Sequence, residues 1–399
     1  MKRIELTSLG QLTQADISFG DMTVFVGPQA SGKSILLQLI KLVLDADDIT
    51  ATLKKQGFDW HDQVEGFLSL YFGEGMGGLW EKTTKVLVDG QQFDLEKRLA
   101  KKGQKKAESL FLIPAQRVMV LRNGWPRSFA DYDSGDPYVV KQFSEQLRLL
   151  MDLGLGSGQG AIFPQAGRMN QAIRDALEAR IFAGAEVKLD RAGLRKRLVL
   201  DVAGTQLPFM VWSAGQRELV PLLLGLYRLM PGKGTAKKSD LDWVVIEEPE
   251  MGLHPQAISA LLITFLELLK RGYKVIVSTH SPQILELIWA IQTLAEAKSP
   301  PAPLLEIFDL KPTAFFNQFA KTILEEKRFK TYYFSRQHNS VQVEDISTLN
   351  PEDIDNAVSD WGGLTTFSSK ISEIISKVMW EADVGALPRQ SAIVENWLP

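Results

Sequence analysis

Gly27, Gly32, Lys33 and Ser34 occupy the fixed positions of the pattern G-x-x-x-x-G-K-[ST] near the start of the chain. Glycines at these positions allow a tight turn whose backbone N–H groups point at one anion, and the helix that follows adds its positive N-terminal end. A lysine ammonium suits the β- and γ-phosphates of a nucleotide, and a serine hydroxyl suits Mg²⁺. The sequence therefore predicts a phosphate-binding loop for a nucleoside triphosphate. Its residues are Gly27, Pro28, Gln29, Ala30, Ser31, Gly32, Lys33 and Ser34.

Two adjacent glutamates, Glu247 and Glu248, follow the apolar run 243–246. A buried strand that ends in paired like charges is costly unless a cation lies nearby. Mg²⁺ takes hard oxygen ligands and keeps several waters, so one acid can hold the ion while the next polarises an attacking water. His280 ends the next apolar strand, where it can hydrogen-bond the γ-phosphate or that water. A lone histidine at a strand end is also commonly an ordinary satisfied polar residue.

The stretch Ser213-Ala214-Gly215-Gln216 precedes a strongly apolar helical run, Leu219–Met230. A hydroxyl, bare backbone N–H groups and the positive end of a helix together suit a γ-phosphate. The same residues also describe an ordinary helix start, since serine is a good N-cap and Gln216 stands three residues later. The stretch indicates a functional site only in combination with the acids that follow it in the chain.

Gln116 and Arg117 follow another apolar strand, which begins at Ser109. Ligands of an open α/β sheet bind at the carboxyl ends of its strands. Gln116 is therefore a candidate to contact Mg²⁺ or water, and Arg117 a candidate to counter phosphate charge. A surface turn after a core strand explains the two residues nearly as well.

Positioning these residues requires an α/β fold, with a strand before the phosphate loop, a helix after it, and further buried strands that carry the acids and the histidine. Alternating runs at 63–72 and 84–88 predict an antiparallel β lobe within residues 45–108. Apolar residues at helical spacing predict an inserted, mainly helical lobe over residues 118–210. Residues 291–399 are predicted to be a C-terminal α/β extension that completes the main domain or binds a partner.

The amino-acid composition limits which classes of protein the chain can belong to. With 399 residues and 45% apolar content, the chain can bury a large core. The absence of cysteine excludes disulfides and cysteine-ligated zinc. The N-terminus has no apolar signal segment and no apolar run is long enough for a bilayer, so a cytoplasmic protein without membrane contact is expected.

Nucleic acid stays open as a ligand. A net charge of −3 gives no global attraction to it, so binding needs a local patch. Six of the ten residues in Lys97–Lys106 are basic, which suits contacts with a phosphate backbone. No aromatic residues are interleaved for stacking on bases, and a solvated loop is the plainer interpretation.

The chain carries, in this order, the phosphate loop, Gln116, Ser213–Glu218, Ile246–Glu250, Gly252–Pro255 and Ser278–His280. Together these stretches resemble an ABC-type ATPase head. They are similar to the group that includes the OLD (overcoming lysogenisation defect) ATPases and the ATPase subunits of bacterial phage-defence systems, with SMC heads more distant. The resemblance covers most of residues 1–290 and implies a P-loop fold with a mixed sheet flanked by helices.

The resemblance also implies ATP and Mg²⁺ as ligands and assigns roles to single residues. Lys33 and Ser34 are expected to bind phosphate and Mg²⁺, and Gln116 stands near the glutamine-loop position, so that Ser34, Glu247 and Gln116 are the expected metal ligands. The family's usual metal-binding aspartate is replaced by Glu247. Glu248 matches the catalytic base and His280 the switch histidine.

By the same resemblance, Ser213, Ala214, Gly215 and Gln216 form the signature that completes the ATP site of a neighbouring subunit, which implies at least a dimer. OLD nucleases carry a toprim domain after the head, and residues 291–399 lack its acidic pattern. A separate effector protein, a nuclease or toxin, is therefore implied, as in the two-gene phage-defence system PARIS. The alternatives are an SMC-like repair clamp that grips duplex DNA through Lys97–Lys106 and a scaffold that binds ATP without hydrolysing it.

Overall fold

The computed structural model describes residues 1–61, 63–100, 107–153, 155, 161–163, 167–190, 196–230, 237–238 and 240–386. Their strands are β1 (Arg3–Leu9), β2 (Leu12–Ser18), β3 (Met22–Val26), β4 (Trp80–Val88), β5 (Gln91–Gln92), β6 (Leu110–Ile113), β7 (Leu121–Arg122), β8 (Trp125–Pro126), β9 (Glu186–Asp190), β10 (Arg197–Val202), β11 (Thr205–Pro208), β12 (Trp243–Glu247), β13 (Lys274–Ser278), β14 (Phe329–Gln337) and β15 (Ser340–Asp345).

The helices of these residues are α1 (Lys33–Lys55), α2 (Val64–Phe72), α3 (Leu95–Ala100), α4 (Tyr138–Leu153), α5 (Gln171–Leu177), α6 (Ala214–Leu229), α7 (Pro255–Lys270), α8 (Pro282–Glu296), α9 (Pro301–Ile307), α10 (Ala314–Glu326), α11 (Asn356–Ser359) and α12 (Thr366–Ala386). Within the described ranges, no helix is both long and apolar enough to cross a membrane.

One mixed sheet organises the molecule, with the strand order β5-β4-β1-β2-β15-β14-β3-β13-β12-β6. The run from β14 to β6 is parallel, whereas β1, β2, β4 and β5 pair antiparallel with one another. All five residues of β3 and of β12 are buried, as expected for central strands that are covered on both faces. The predicted α/β class with a mixed sheet flanked by helices is confirmed.

Parallel strands end at the same edge of a sheet, so the strand order decides which of the loops after them lie side by side. β3 leads into the phosphate loop, β12 into the acids and β13 into His280, and the three strands are direct neighbours. Helices α1 and α4 contact β6, while α7 contacts β13. The phosphate loop, the two acids and His280, predicted from separate stretches of sequence, therefore meet at the carboxyl edge of the sheet.

The antiparallel lobe differs from the prediction for residues 45–108. The strand prediction for 63–72 is wrong, because Val64–Phe72 is helix α2. Its buried residues Phe67, Leu68, Tyr71 and Phe72 follow helical spacing, and the short apolar run was ambiguous in sequence. The strand expected at 84–88 is present within β4, which extends the main sheet beside β1.

The inserted lobe over residues 118–210 is less helical than predicted. Its first half contains α4 and α5, but β9, β10 and β11 form a separate three-stranded antiparallel sheet in its second half. The C-terminal extension completes the main domain, since β14 pairs in parallel with β3 and β15 pairs with β2. Of the basic stretch Lys97–Lys106, residues 101–106 lie outside the described residues.

Candidate functional site

The phosphate loop has the backbone that its glycines predict. Gly27 has a φ of 149°, and a Cβ there would lie 2.9 Å from both the Cβ and the carbonyl oxygen of Phe334 on β14. Gly32 has a φ of 89° at the start of α1, a left-handed conformation that favours glycine. Side chains at these two positions would therefore deform the turn that presents the backbone N–H groups.

Lys33 is held against its own loop. Its Nζ donates hydrogen bonds to the carbonyl oxygens of Gly27 and Pro28, both at 2.8 Å, and lies 3.4 Å from Ser31 Oγ. Burial lowers the pKa of Lys33 to about 8, although Glu248 and Glu250 act in the opposite direction. The ammonium is thus positioned at the mouth of the turn, where a phosphate would meet it, and Ser34 next to it is exposed.

Glu247 ends β12 as a buried carboxyl group. Its Oε2 accepts a hydrogen bond from the Ala115 N–H at 3.2 Å, while its Oε1 is buried and has no hydrogen-bond partner. Burial raises the pKa of Glu247 to about 7, and the neighbouring Glu248 adds to the rise. A buried carboxylate oxygen without a partner is an acceptor for which a divalent cation is suited.

The pKa of Glu248 is shifted in the opposite direction to that of Glu247. Its Oε1 lies 3.5 Å from His280 Nε2, and this contact holds the pKa of Glu248 below its usual range. The residue has a φ of 42°, which is uncommon for a side chain larger than glycine, and its N–H donates to the Ser278 carbonyl oxygen at 2.9 Å. The backbone thus stores strain where it aims an ionised carboxylate beside the phosphate loop.

Two residues with positioning roles had no such assignment from the sequence. Arg117 is fully buried, and its guanidinium donates to the carbonyl oxygens of Glu247 at 2.6 Å and Glu248 at 3.0 Å. It therefore braces the end of β12 and is not turned towards phosphate, as the sequence had suggested. Glu250 accepts from the His280 N–H at 2.6 Å and from Thr279 Oγ1 at 2.8 Å, which ties the end of β13 to the acidic loop.

A cleft of about 500 Å³ is lined by the phosphate loop, Glu248 and His280. Residues 29–35 of the phosphate loop and the start of α1 form one part of its wall, and Glu248 and His280 form another. Gln11 and Arg336 also line it, and both donate to the carbonyl oxygen of Ala30. Their distance in sequence from the loop left no local signal that could have revealed them.

A larger cavity, of about 970 Å³, contains none of these groups. It lies against the β7–β8 hairpin and the three-stranded sheet of the inserted lobe. Its basic residues include Lys196 and Arg197, which pair with Asp152 and Asp190 at 2.9 Å. Those two cations are matched by carboxylates, whereas the smaller cleft is where the phosphate loop and Glu248 meet.

The Ser213–Gln216 stretch is outside that cleft. Ser213 caps α6 by accepting a hydrogen bond from the Gln216 N–H at 3.3 Å, and Gln216 Oε1 accepts one from the Ser213 N–H at 3.1 Å. A Cβ on Gly215 would lie 2.6 Å from the carbonyl oxygen of Gly252, so the helix start is packed closely against the loop that follows the acids. Ser213 and Ala214 are exposed to solvent.

The structure does not bring Gln116 to the cleft either. Its side chain is exposed, and it stands before the short helical turn at Arg117–Val120. Within the described residues, no group of three or more acids and histidines could hold a metal alone. Mg²⁺ in nucleotide sites is commonly bound through one or two protein ligands, phosphates and water, so Ser34 and the unpartnered oxygen of Glu247 fit such an ion.

One family model matches part of this chain. The family described as "AAA domain, putative AbiEii toxin, Type IV TA system" matches residues 163–286, which include the Ser213 stretch, the acids and His280. No curated protein matches the chain. The match covers less than half of the chain.

Solved structures with a related arrangement are distant. An SMC head bound to the C-winged helix domain of ScpA has 13% identity and a TM-score of 0.40, covering 86% of this chain and 96% of its own. The SMC head domain from Thermotoga maritima has 14% identity and a TM-score of 0.33, covering 86% and 98%. A dimeric bacterial ABC transporter cassette has 12% identity and a TM-score of 0.32, covering 70% and 89%.

Proposed function

We propose that this chain is an ATPase whose ATP sites form between two heads, and that head association controls a separate effector in bacterial anti-phage defence. The observation that carries the proposal is the single cleft lined by the phosphate loop, Glu248 and His280. The exposed Ser213 stretch lies outside this cleft, which supports its use by a second head.

In this mechanism Lys33 and the loop N–H groups neutralise charge that develops on the γ-phosphate, and Ser213 with the start of α6 from the second head covers the opposite side. Glu248 orients the attacking water and accepts its proton, because its lowered pKa keeps it ionised at neutral pH. His280 is held by Glu250 and steadies the Glu248 carboxylate. Ser34 and Glu247 would hold Mg²⁺, which supplies further charge neutralisation at the phosphates.

The test of the base is Glu248→Gln. Gln keeps the size of the side chain but cannot accept the proton, so ATP turnover is expected to fall by about 100-fold or more while nucleotide affinity is retained. Steady-state phosphate release and calorimetric ATP titration measure the two quantities. Lys33→Ala is the matched control, since it is expected to lose nucleotide binding itself. Undiminished phosphate release by Glu248→Gln would remove Glu248 from the role of base.

The defence role rests on a separate observation and has its own test. The matching family description names a putative toxin of a type IV toxin–antitoxin system, which favours a role in bacterial conflict. Expression in a phage-sensitive host with the gene's natural neighbours is expected to reduce plaque formation, and Lys33→Ala is expected to abolish the reduction. Equal plaque numbers with and without the genes would contradict the defence role, and the proposed ATPase would then serve another cellular function.

A further inference from the structure

Helix α12 carries an apolar stripe that none of the described residues covers. Ile371, Ile374, Ile375 and Val378 recur at i, i+3, i+4 and i+7, so they lie on one face of the helix. Their side chains are 47%, 51%, 56% and 55% exposed. A surface helix of a globular protein normally buries such a face against its neighbours, so this stripe is built for contact with something else.

One side of the stripe carries two lysines, with Glu373 between them in the sequence. Lys370 and Lys377 are seven residues apart, two helical turns, and both are exposed beside the apolar face. Ser372 and Ser376 lie on the other side of the stripe and are also exposed. A matching surface should therefore be an apolar groove with an acidic group along one rim.

The same molecule contains such a groove. A cavity of about 390 Å³ between α8 and α9 is lined by Trp289, Leu294, Pro303 and Ile307, together with Glu306. Trp289 is 38% exposed and Ile307 is 48% exposed, which is unusual for large apolar side chains outside an interface. The seven residues of α9 make the groove about 10 Å long, enough for about two turns of a helix.

The start of α12 is held so that the stripe does not enter its own groove. Trp361 packs against Trp289 at a ring distance of 6.4 Å, and a Cβ on Gly362 would lie 2.6 Å from the ring of Tyr333. Thr366 then donates through Oγ1 to Asp360 at 3.1 Å. These contacts set the direction in which the helix leaves the body, and both the stripe and the groove stay exposed.

We propose that two copies of this chain associate by placing α12 of each copy in the α8–α9 groove of the other. Lys370 and Lys377 of one copy then face Glu306 of its partner, and the charges are complementary. The contact is isologous, because each chain supplies one helix and one groove. It needs no nucleotide, so it goes beyond ATP-dependent head association and would keep two heads together between turnovers.

The surface area that a stable dimer must bury favours a reciprocal contact. Stable dimers bury about 1,600 Å² in total, and one two-turn helix in a short groove falls well below that. Two symmetry-related copies of the contact double the buried area. A one-way contact would also leave a free groove at one end and a free helix at the other, which promotes open chains of molecules.

The first test measures the mass of the nucleotide-free full chain by light scattering after size exclusion. We expect twice the 44.6 kDa mass of one chain. The double variant Ile371→Asp/Ile375→Asp should be monomeric, with the dissociation constant raised by about tenfold or more. The matched control Ser372→Asp/Ser376→Asp, on the polar side of the same helix, should stay dimeric. Lys33→Ala should also stay dimeric, which separates this contact from ATP-driven association.

A charge exchange tests the groove. Lys370→Glu/Lys377→Glu and Glu306→Lys should each weaken the dimer, and the triple variant that combines them should restore it. A monomeric nucleotide-free chain overturns the proposal, as does a dimer that survives Ile371→Asp/Ile375→Asp. A dimer that the triple variant fails to restore overturns the groove as the docking site. Binding of a monomeric chain to anionic phospholipid vesicles through the same isoleucines would assign α12 to a membrane surface instead.

Discussion

The two adjacent glutamates at the end of β12 differ in charge state although they share one backbone turn. Burial raises the pKa of Glu247 to about 7, whereas the contact with His280 holds that of Glu248 below its usual range. One carboxyl group is therefore costly to ionise and the other stays ionised. A cation beside Glu247 would recover that cost, which ties nucleotide binding to the stability of this turn.

Glu247→Gln tests this cost. The folded pKa of Glu247 is above its unfolded value of 4.5, so the unfolded chain releases its proton first and stability falls as pH rises from 4.5 to about 7. Gln has no proton to lose. We expect the variant to gain about 2 kcal/mol in free energy of unfolding at pH 8 without nucleotide, and much less at pH 5.

Urea denaturation at the two pH values measures the gain. Glu248→Gln is the control, since the lowered pKa of Glu248 predicts no such gain at high pH. An equal change at pH 5 and pH 8 for Glu247→Gln would contradict the assigned cause. Mg²⁺-dependent ATP binding by Glu247→Gln should be weakened in either case.

At the level of elements, the start of α6 is packed against the loop that follows the acids. Gly215 lies so close to Gly252 that a Cβ added to Gly215 would lie 2.6 Å from the Gly252 carbonyl oxygen. Gly252 has a φ of 71°, a left-handed conformation that favours glycine. The position of Ser213 for a second head therefore depends on a contact within the first.

Gly215→Ala should displace the helix start and lower ATP turnover by about tenfold or more, because Ser213 would no longer meet the γ-phosphate. ATP affinity measured by calorimetry should stay within about twofold, since the phosphate loop is untouched. Ala214→Gly is the matched control, as Ala214 is exposed. Equal turnover by both variants would show that the close approach has no catalytic consequence.

The sequence predicted those elements whose chemistry is local. Lys33 and Ser34 were found from spacing alone, because one turn and one helix start define their geometry. Helix α2 was mistaken for a strand because short apolar runs fit either period. Arg117 was assigned to phosphate because its carbonyl partners belong to a strand more than a hundred residues away in the chain.

At the level of the whole molecule, one buried charge cluster connects the phosphate-loop helix to the signature helix. Glu108 accepts from Lys41 on α1 at 2.8 Å and from Arg228 on α6 at 3.4 Å, and Gln146 on α4 donates to it at 2.7 Å. Buried ions of this kind are retained only when each has its partners. In the proposed mechanism these two helices serve different ATP sites, and the cluster joins them within one chain.

Mixing two inactive variants tests the composite site. Lys33→Ala disables the phosphate loop, and Ser213→Arg should disable the signature without touching that loop. In a mixed dimer one site combines both defects and the other has neither, so a mixture should regain about a quarter of the wild-type turnover. Phosphate release is measured for each variant alone and for the mixture. A mixture as inactive as its components would argue against a site shared by two chains.

The insertion of β14 and β15 into the middle of the sheet has a consequence for synthesis. These strands are the only link, among the described residues, between the β5-β4-β1-β2 half of the sheet and the half that bears the phosphate loop. A ribosome that has already made the loop, the acids and His280 has therefore produced two separate half-sheets with open strand edges. The sheet closes only when residues 329–345 emerge, so a nascent or truncated chain exposes strand edges to aggregation and to chaperones.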